Sequence, residues 1–341
     1  MGADIRSIPL SSTYLGHFNM QYRRLGKSNL LVSRLWLGGM SLGSPSPRPW
    51  VADTATSTRM IAEAIEAGIN TIDTADAYGK GESEELIGRC LHDMGVRDDI
   101  VIATKFGLPI DGNKPNRSGY SRKNIVQRCE AALKRLKTDR IDILQTHIWQ
   151  PDSSIEEVIE AFHHLVRQGK VLYVGITDMA PWQAAKWIFT KSFDGLPPLI
   201  SVQHHYNPVW REDERFLVPL CEAEGVGLVA YSPLGRGFLA GAARGTTREK
   251  TDDFIAKFYG RAADLAVQSK IEKLAEKAGV TPAQLSLLWV LGQRFVTSAV
   301  VGPTNSKQLS ELIRCAETKI AGEIFDEISA TYSPRMEVGH G

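Results

Sequence analysis

Cysteine is scarce in this chain. Cys90, Cys129, Cys221 and Cys315 are the four among 341 residues, with no C-x-x-C and no Cys/His cluster. That spacing excludes a disulfide framework or a zinc site and suits a reducing, cytoplasmic setting. Long hydrophobic runs are missing too, since none reaches the roughly 18 residues that suggest a membrane span. Neither sign of charge dominates. Lys and Arg number 40 against 39 Asp and Glu, a net charge of +1, and no long Lys/Arg run occurs. No global field therefore favours nucleic acid or an anionic membrane. Residues 1–19 have short apolar patches and one Arg, which is not the pattern of a signal peptide. Met1-Gly2 opens like a myristoylation site, yet Arg6 stands where that motif takes Ser or Thr. This stretch is expected to be a poorly ordered extension, with 20–341 forming one unit. Finally, Gly38-Gly39-Met40-Ser41-Leu42-Gly43 lacks G-x-G-x-x-G spacing, so a Rossmann fold loses its main motif.

What is present is ordinary globular composition, 43% hydrophobic and 23% charged, arranged in a regular alternation. Met20–Arg24 and Leu30–Arg34 flank the turn-rich Gly26-Lys27-Ser28-Asn29, a predicted hairpin. Apolar runs then recur at 35–39, 70–74, 100–104, 141–147, 171–176, 199–203, 226–231 and 297–301. Stretches with helical spacing separate them: around 60–68, 82–94, 121–137, 154–168, from Pro181, 212–224, 264–278 and 282–292, with a last one near 305–317. Continuous apolar strands covered by helices imply a parallel sheet. Eight such strands without a visible linker predict an α/β (β/α)8 TIM barrel with an N-terminal β-hairpin, in preference to a doubly wound sheet. Long loops at 106–120 and 235–262, and the tail after about 320, are expected to shape a substrate pocket.

Four residues stand out at or just beyond strand ends. Asp73 and Tyr78 lie in Asp73-Thr74-Ala75-Asp76-Ala77-Tyr78-Gly79, Lys105 closes Ile100–Thr104, and His147 closes Ile141–Thr146. A parallel barrel brings its strand C-termini to one face. Reduction of a carbonyl needs a proton on its oxygen, and a phenol with a pKa of about 10 holds its proton tightly unless a nearby ammonium lowers that value. Tyr78 thus reads as a general acid tuned by Lys105, with Asp73 fixing the lysine and His147 orienting the carbonyl. Taken singly, each residue has a plainer reading: a cap for Asp73, a solvated strand-end charge for Lys105, a structural imidazole for His147. Lys105 also fits a Schiff-base lyase.

Asp73-Thr74-Ala75-x-x-Tyr78-Gly79, Thr104-Lys105 and Gln145-Thr146-His147 resemble the motifs of the aldo-keto reductase superfamily, in order and at the right strands. The resemblance runs from about Met20 to Leu312. It implies a barrel that reduces an aldehyde or ketone with NADPH, and Asp73, Tyr78, Lys105 and His147 as a catalytic tetrad rather than a Schiff-base site. It further implies a carboxamide site at Gln203 with Thr177 and Asp178, and Tyr231 stacked beneath the nicotinamide. Ser232, Leu234, Gly235 and Arg236 would meet the pyrophosphate, and Gly39 and Met40 would lie near the nicotinamide. Gly302, Thr304 and Gln308 would form the adenosine-phosphate segment at a helix N-terminus. Two departures are visible. Thr177-Asp178 replaces the family's usual Ser-Asn, and Gly302, Gln308 and Leu312 replace residues that often serve the 2′-phosphate or its neighbourhood. Lys307 is a substitute cation, and NADH use stays open beside NADPH.

Trp149, two residues past His147, is expected to line the substrate pocket with Tyr78 and His147; Trp50 and Tyr120 are secondary choices, and each aromatic could instead be rim packing. Aromatic walls with few fixed charges suggest a bulky or ring-containing carbonyl and poor turnover of small charged keto acids. The alternative is a cofactor-binding regulatory or sensor subunit of the same fold, as some relatives serve membrane channels. Monomers and ring-like oligomers are both compatible with the helical exterior.

Overall fold

The computed structural model describes residues 20–46, 48–110, 112, 114–190, 197–241 and 246–335. The expected N-terminal extension lies outside these residues. Two short strands, β1 (Tyr22–Arg24) and β2 (Leu31–Ser33), form an antiparallel hairpin. Eight parallel strands follow: β3 (Leu35–Gly38), β4 (Thr71–Asp73), β5 (Val101–Phe106), β6 (Ile141–Thr146), β7 (Val171–Thr177), β8 (Leu199–His205), β9 (Gly227–Tyr231) and β10 (Val296–Val301). Each pairs with the next, and β10 closes on β3, giving the (β/α)8 barrel that the alternation predicts. The outer layer comprises α1 (Thr54–Glu66), α2 (Glu82–Met94), α3 (Arg122–Arg135), α4 (Ile155–Arg167), α5 (Pro181–Phe189) and α6 (Leu217–Glu224). It continues with α7 (Thr247–Thr251), α8 (Asp253–Phe258), α9 (Ala262–Ala278), α10 (Pro282–Gly292), α11 (Ser306–Ile313) and α12 (Gly322–Ala330).

Local chemistry accounts for several boundaries. Asp53 caps α1 by accepting from the Thr56 amide, which starts that helix at Thr54, well before the apolar face beginning at Met60. Ser121, Ser154 and Asn305 cap α3, α4 and α11 in the same way, and Thr281-Pro282 with Gln284 forms a capping box on α10. The helix expected at 212–224 begins only at Leu217, because Glu212–Glu214 winds as a 3-10 turn. The stretch 235–262 is not all loop: a 3-10 segment, Gly235–Ala240, precedes α7 and α8.

Two apolar layers result. Helix faces pack on the barrel exterior. Inside, Leu25 and Val32 from the hairpin region meet Trp36, Val101, Ala103, Ile143, Ile200, Val229 and Val300. The hairpin seals the N-terminal mouth, with the Tyr22 hydroxyl donating to the Gly68 carbonyl (2.8 Å) and the Arg34 guanidinium donating to the Thr297 carbonyl (2.7 Å) and the Val296 carbonyl. The candidate site residues lie at the other end, at the C-termini of β4, β5 and β6. No helix among the described residues is long and apolar enough to cross a membrane.

Candidate active site

Asp73 ends β4, Lys105 lies near the end of β5, and His147 directly follows β6, where its amide donates to the Phe106 carbonyl (2.9 Å). Tyr78 opens a 3-10 turn after β4. Gly39 allows the close approach that brings the end of β3 beside this loop. A Cβ there would fall 2.6 Å from Ser83 Oγ and 3.0 Å from the Asp73 carbonyl oxygen.

The four side chains converge. Lys105 Nζ donates to Asp73 Oδ2 (2.7 Å) and to the Thr74 carbonyl (2.8 Å), and it stands 5.0 Å from the centre of the Tyr78 ring. The Tyr78 and His147 rings meet edge to face at 5.7 Å. Gln203 Nε2 holds the other oxygen of Asp73 at 2.8 Å, with Gln145 Nε2 more distant at 3.4 Å. Gln203 therefore braces the Asp73 carboxylate from the β8 side.

Burial sets the protonation states. Lys105 is buried, which alone would discharge it, but Asp73 and Tyr78 hold its pKa above the ordinary lysine value. Burial drives Tyr78 upward, Lys105 pulls it down, and Asp73 pushes it up again; the outcome lies above the ordinary phenol value. Lys105 acts in the expected direction on Tyr78 but is outweighed by desolvation. His147 is pushed down to about 3 by burial and then by Lys105, so its imidazole is neutral, and its Nδ1 has no partner among the described residues.

A cavity of about 1470 Å³ opens from this cluster. Its walls include the expected Met40, Thr177, Asp178, Gln203, Tyr231, Ser232, Leu234, Arg236, Gly302, Thr304 and Gln308. Gly39 and Gly235 are not on the wall. Gly39 packs behind it as described, and Gly235 turns the chain at φ 57°. Asp178, Ser232 and Arg236 also hold positive φ (48°, 51° and 58°) although none is glycine. Such strain costs about 1–3 kcal/mol each and concentrates at working sites. Thr177 Oγ1 is buried without a partner among the described residues, and the Tyr231 hydroxyl donates to both Asp178 oxygens (3.0 Å each). One face of Tyr231 lies on His205, ring centres 5.2 Å apart and nearly parallel. A ring platform, an unpaired hydroxyl and a carboxylate at the platform's edge fit a flat ring carrying an amide.

Trp149 is not on the cavity wall. It is buried, stacked on Tyr120 at 5.0 Å and edge-on to Trp187, which makes it packing beneath the 106–120 loop. Trp50, Leu108 and Ile148 take wall positions instead. Lys307 is exposed and off the wall, whereas Arg48, Arg236 and Arg248 line it. Arg248 sits over the Trp50 ring at 4.3 Å and bonds Asp252, which Arg236 grips through two nitrogens. Arg236 was expected from sequence; Arg248 lay in the Gly-, Arg- and Thr-containing stretch 235–262 and Arg48 outside it, and nothing in the sequence located Asp252 or Trp50 as partners. Asp76 and Glu84 were missed as well. Both are buried behind the site, Asp76 3.5 Å from Arg128, and Glu84 bonded to Thr104 and Arg135. Among the described residues no group of three or more His, Cys, Asp or Glu is placed to hold a metal.

The family model for the aldo/keto reductase family matches residues 34–333. The chain belongs to that family, whose members are oxidoreductases using nicotinamide cofactors. It is 34% identical over 338 residues to the versiconal hemiacetal acetate reductase of Aspergillus parasiticus, an alignment covering 93% of this chain and 98% of that protein. It is 32% identical over 344 residues to aldo-keto reductase AMT2 of Alternaria alternata (94% of this chain, 93% of that protein). It is 31% identical over 334 residues to a Schizosaccharomyces pombe protein provisionally named as a voltage-gated potassium channel subunit beta (93% and 95%).

Proposed function

We propose that this protein is a cytoplasmic NADPH-dependent reductase of aldehydes or ketones, with Tyr78 as the proton donor. The observation that carries the reading is the cluster in which the half-buried Tyr78 lies between the buried Lys105–Asp73 pair and a neutral His147, on the wall of the cavity. The nicotinamide, when bound, supplies a hydride to the carbonyl carbon. Tyr78 gives its hydroxyl proton to the carbonyl oxygen, so C=O becomes CH–OH and the phenolate left behind is reprotonated from solvent. Lys105 steadies that phenolate, because an ammonium beside a phenol favours its ionised form. Asp73 keeps Lys105 charged and in place. His147, being neutral, offers a ring N–H to the carbonyl oxygen without competing for the proton. On the cofactor side, Gln203 with Thr177 and Asp178 would hold the carboxamide, Tyr231 would support the ring, and the loop from Ser232 to Arg236 would receive the pyrophosphate. Arg48, Arg236 and Arg248 supply positive charge for phosphate, which supports NADPH over NADH.

We read the substrate class from the apolar part of the wall. Leu108 and Ile148, the latter next to His147, line the cavity together with Trp50, which favours bulky, uncharged carbonyls, in keeping with the hemiacetal acetate named for one relative. The channel-subunit relative supports a second reading, a cofactor-bound sensor with little turnover. Following NADPH and NADH absorbance against a panel of aldehydes and ketones separates the two. Steady oxidation with NADPH favoured supports the reductase. Binding of NADPH with no oxidation across the panel supports the sensor.

A further inference from the structure

The Asp178 carboxylate is not needed for the proton chemistry above, yet it stands half-buried in the wall at a strained backbone position, where desolvation raises its pKa and His204 and the Tyr231 hydroxyl oppose the rise. Its two oxygens take the Tyr231 hydroxyl, and burial followed by Asp178 itself holds that hydroxyl well above the ordinary phenol pKa, so it remains a donor. Asp178 thus sits at the edge of the Tyr231 platform, while His205 backs the ring and is itself held neutral, at about 3, by burial. A flat ring resting on Tyr231 lies beside the Asp178 carboxylate and, once seated, shields it from the solvent that reaches the open cavity. Where water is excluded, charges interact far more strongly than in bulk solvent. An amide at this position would keep the shape and one acceptor oxygen for the Tyr231 hydroxyl, replace the other oxygen by an NH2 donor, and carry no charge.

We propose that Asp178 makes the site discriminate between the redox forms of its cofactor, holding the oxidised, positively charged nicotinamide more tightly than the neutral reduced one. The inference rests on the nicotinamide reading of the cavity and adds a specificity role for this residue. The expected size is about tenfold in relative affinity, the equivalent of one pKa unit of differential interaction. By linkage the same factor lowers the potential of the bound two-electron couple by about 30 mV. Hydride donation to a carbonyl is correspondingly favoured, and release of the oxidised form is slowed.

The test is equilibrium binding of NADP⁺ and NADPH to the full chain and to Asp178→Asn, followed by quenching of tryptophan fluorescence. Asn tolerates a φ of 48°, so the fold is expected to survive. Asp178→Gly supplies a second charge-free variant suited to that backbone. The ratio of the NADPH to the NADP⁺ dissociation constant should fall about tenfold in both variants, whatever happens to the absolute affinities. An unchanged ratio, with both forms still bound, overturns the inference and leaves the reductase reading intact. Failure of the unaltered protein to bind either form overturns the nicotinamide reading itself, and this inference with it.

Discussion

Replacing Asp73 by Asn should leave the shape of the site nearly intact while stranding a buried ammonium. Lys105 and Asp73 meet at 2.7 Å with side-chain exposures of 1% and 4%. Breaking a buried pair from one side costs about 3–5 kcal/mol, because the remaining charge has lost its counter-ion. Unfolding entropy near 2.1 cal/mol/K per residue gives about 0.7 kcal/mol/K for a chain of this length, so the expected fall in Tm is about 4–7 °C. The pH dependence carries a sharper signature. In the unaltered protein the folded pKa of Lys105 exceeds its unfolded value, so this pair's stabilisation is complete below the unfolded lysine pKa and is lost as pH rises through the folded one. In Asp73→Asn, burial prevails and the folded pKa drops below the unfolded value. That variant regains stability as pH rises toward the ordinary lysine pKa, near 10.4. Thermal unfolding of both proteins between pH 7 and 10 should therefore show a gap that narrows with pH. A gap under about 1 °C at pH 7, or one that does not change with pH, would refute the ion-pair reasoning.

Three further outcomes follow from the same chemistry. His147 titrates at about 3, so the rate profile between pH 5 and 8 should contain no inflection that vanishes in His147→Gln; one that does would mean an imidazole far more solvated than this. Burial, then Glu84, raises Asp76 to about 7, opposed by Arg128 and Arg135. The unfolded chain ionises first, so this group removes about 4 kcal/mol of stability as pH climbs from 3.8 to about 7. Asp76→Asn should gain stability relative to the parent over that range in chemical denaturation, and parallel curves would contradict it. Gly39→Ala places a methyl 2.6 Å from Ser83 Oγ and should cost about 1–3 kcal/mol, with reduced turnover from displacement of the Asp73 loop; unchanged stability and rate would show that the loop yields freely.

The barrel was legible because its interior strands are short, uninterrupted apolar runs, and Asp73, Lys105 and His147 were legible because each terminates one. The Thr54 start of α1 was less so, since its first turn is polar and only the Asp53 cap marks it. Short α7 and α8 carry no sustained apolar face, and their positions depend on contacts such as Arg236 with Asp252. Trp149 illustrates the limit for aromatics. An indole after a strand can face a pocket or a neighbour, and only the stacking of Tyr120 decides between them. Asp76 and Glu84 read as an ordinary motif letter and a first-turn acid; their burial arises from α3 packing across them, which is a long-range fact. The net upward shift of Tyr78 was hidden for the same reason, because local sequence reveals the nearby lysine but not the desolvation that outweighs it.

The most direct test of the central claim is a single turnover of NADPH-loaded protein with an aldehyde it reduces in steady state, comparing the parent with Tyr78→Phe. Loss of the proton donor should slow NADPH oxidation by about 10²–10⁴-fold while NADPH affinity and the thermal transition stay close to the parent. Oxidation at the parental rate by a folded, NADPH-binding Tyr78→Phe protein would contradict the assignment and place the proton donor elsewhere in the cavity.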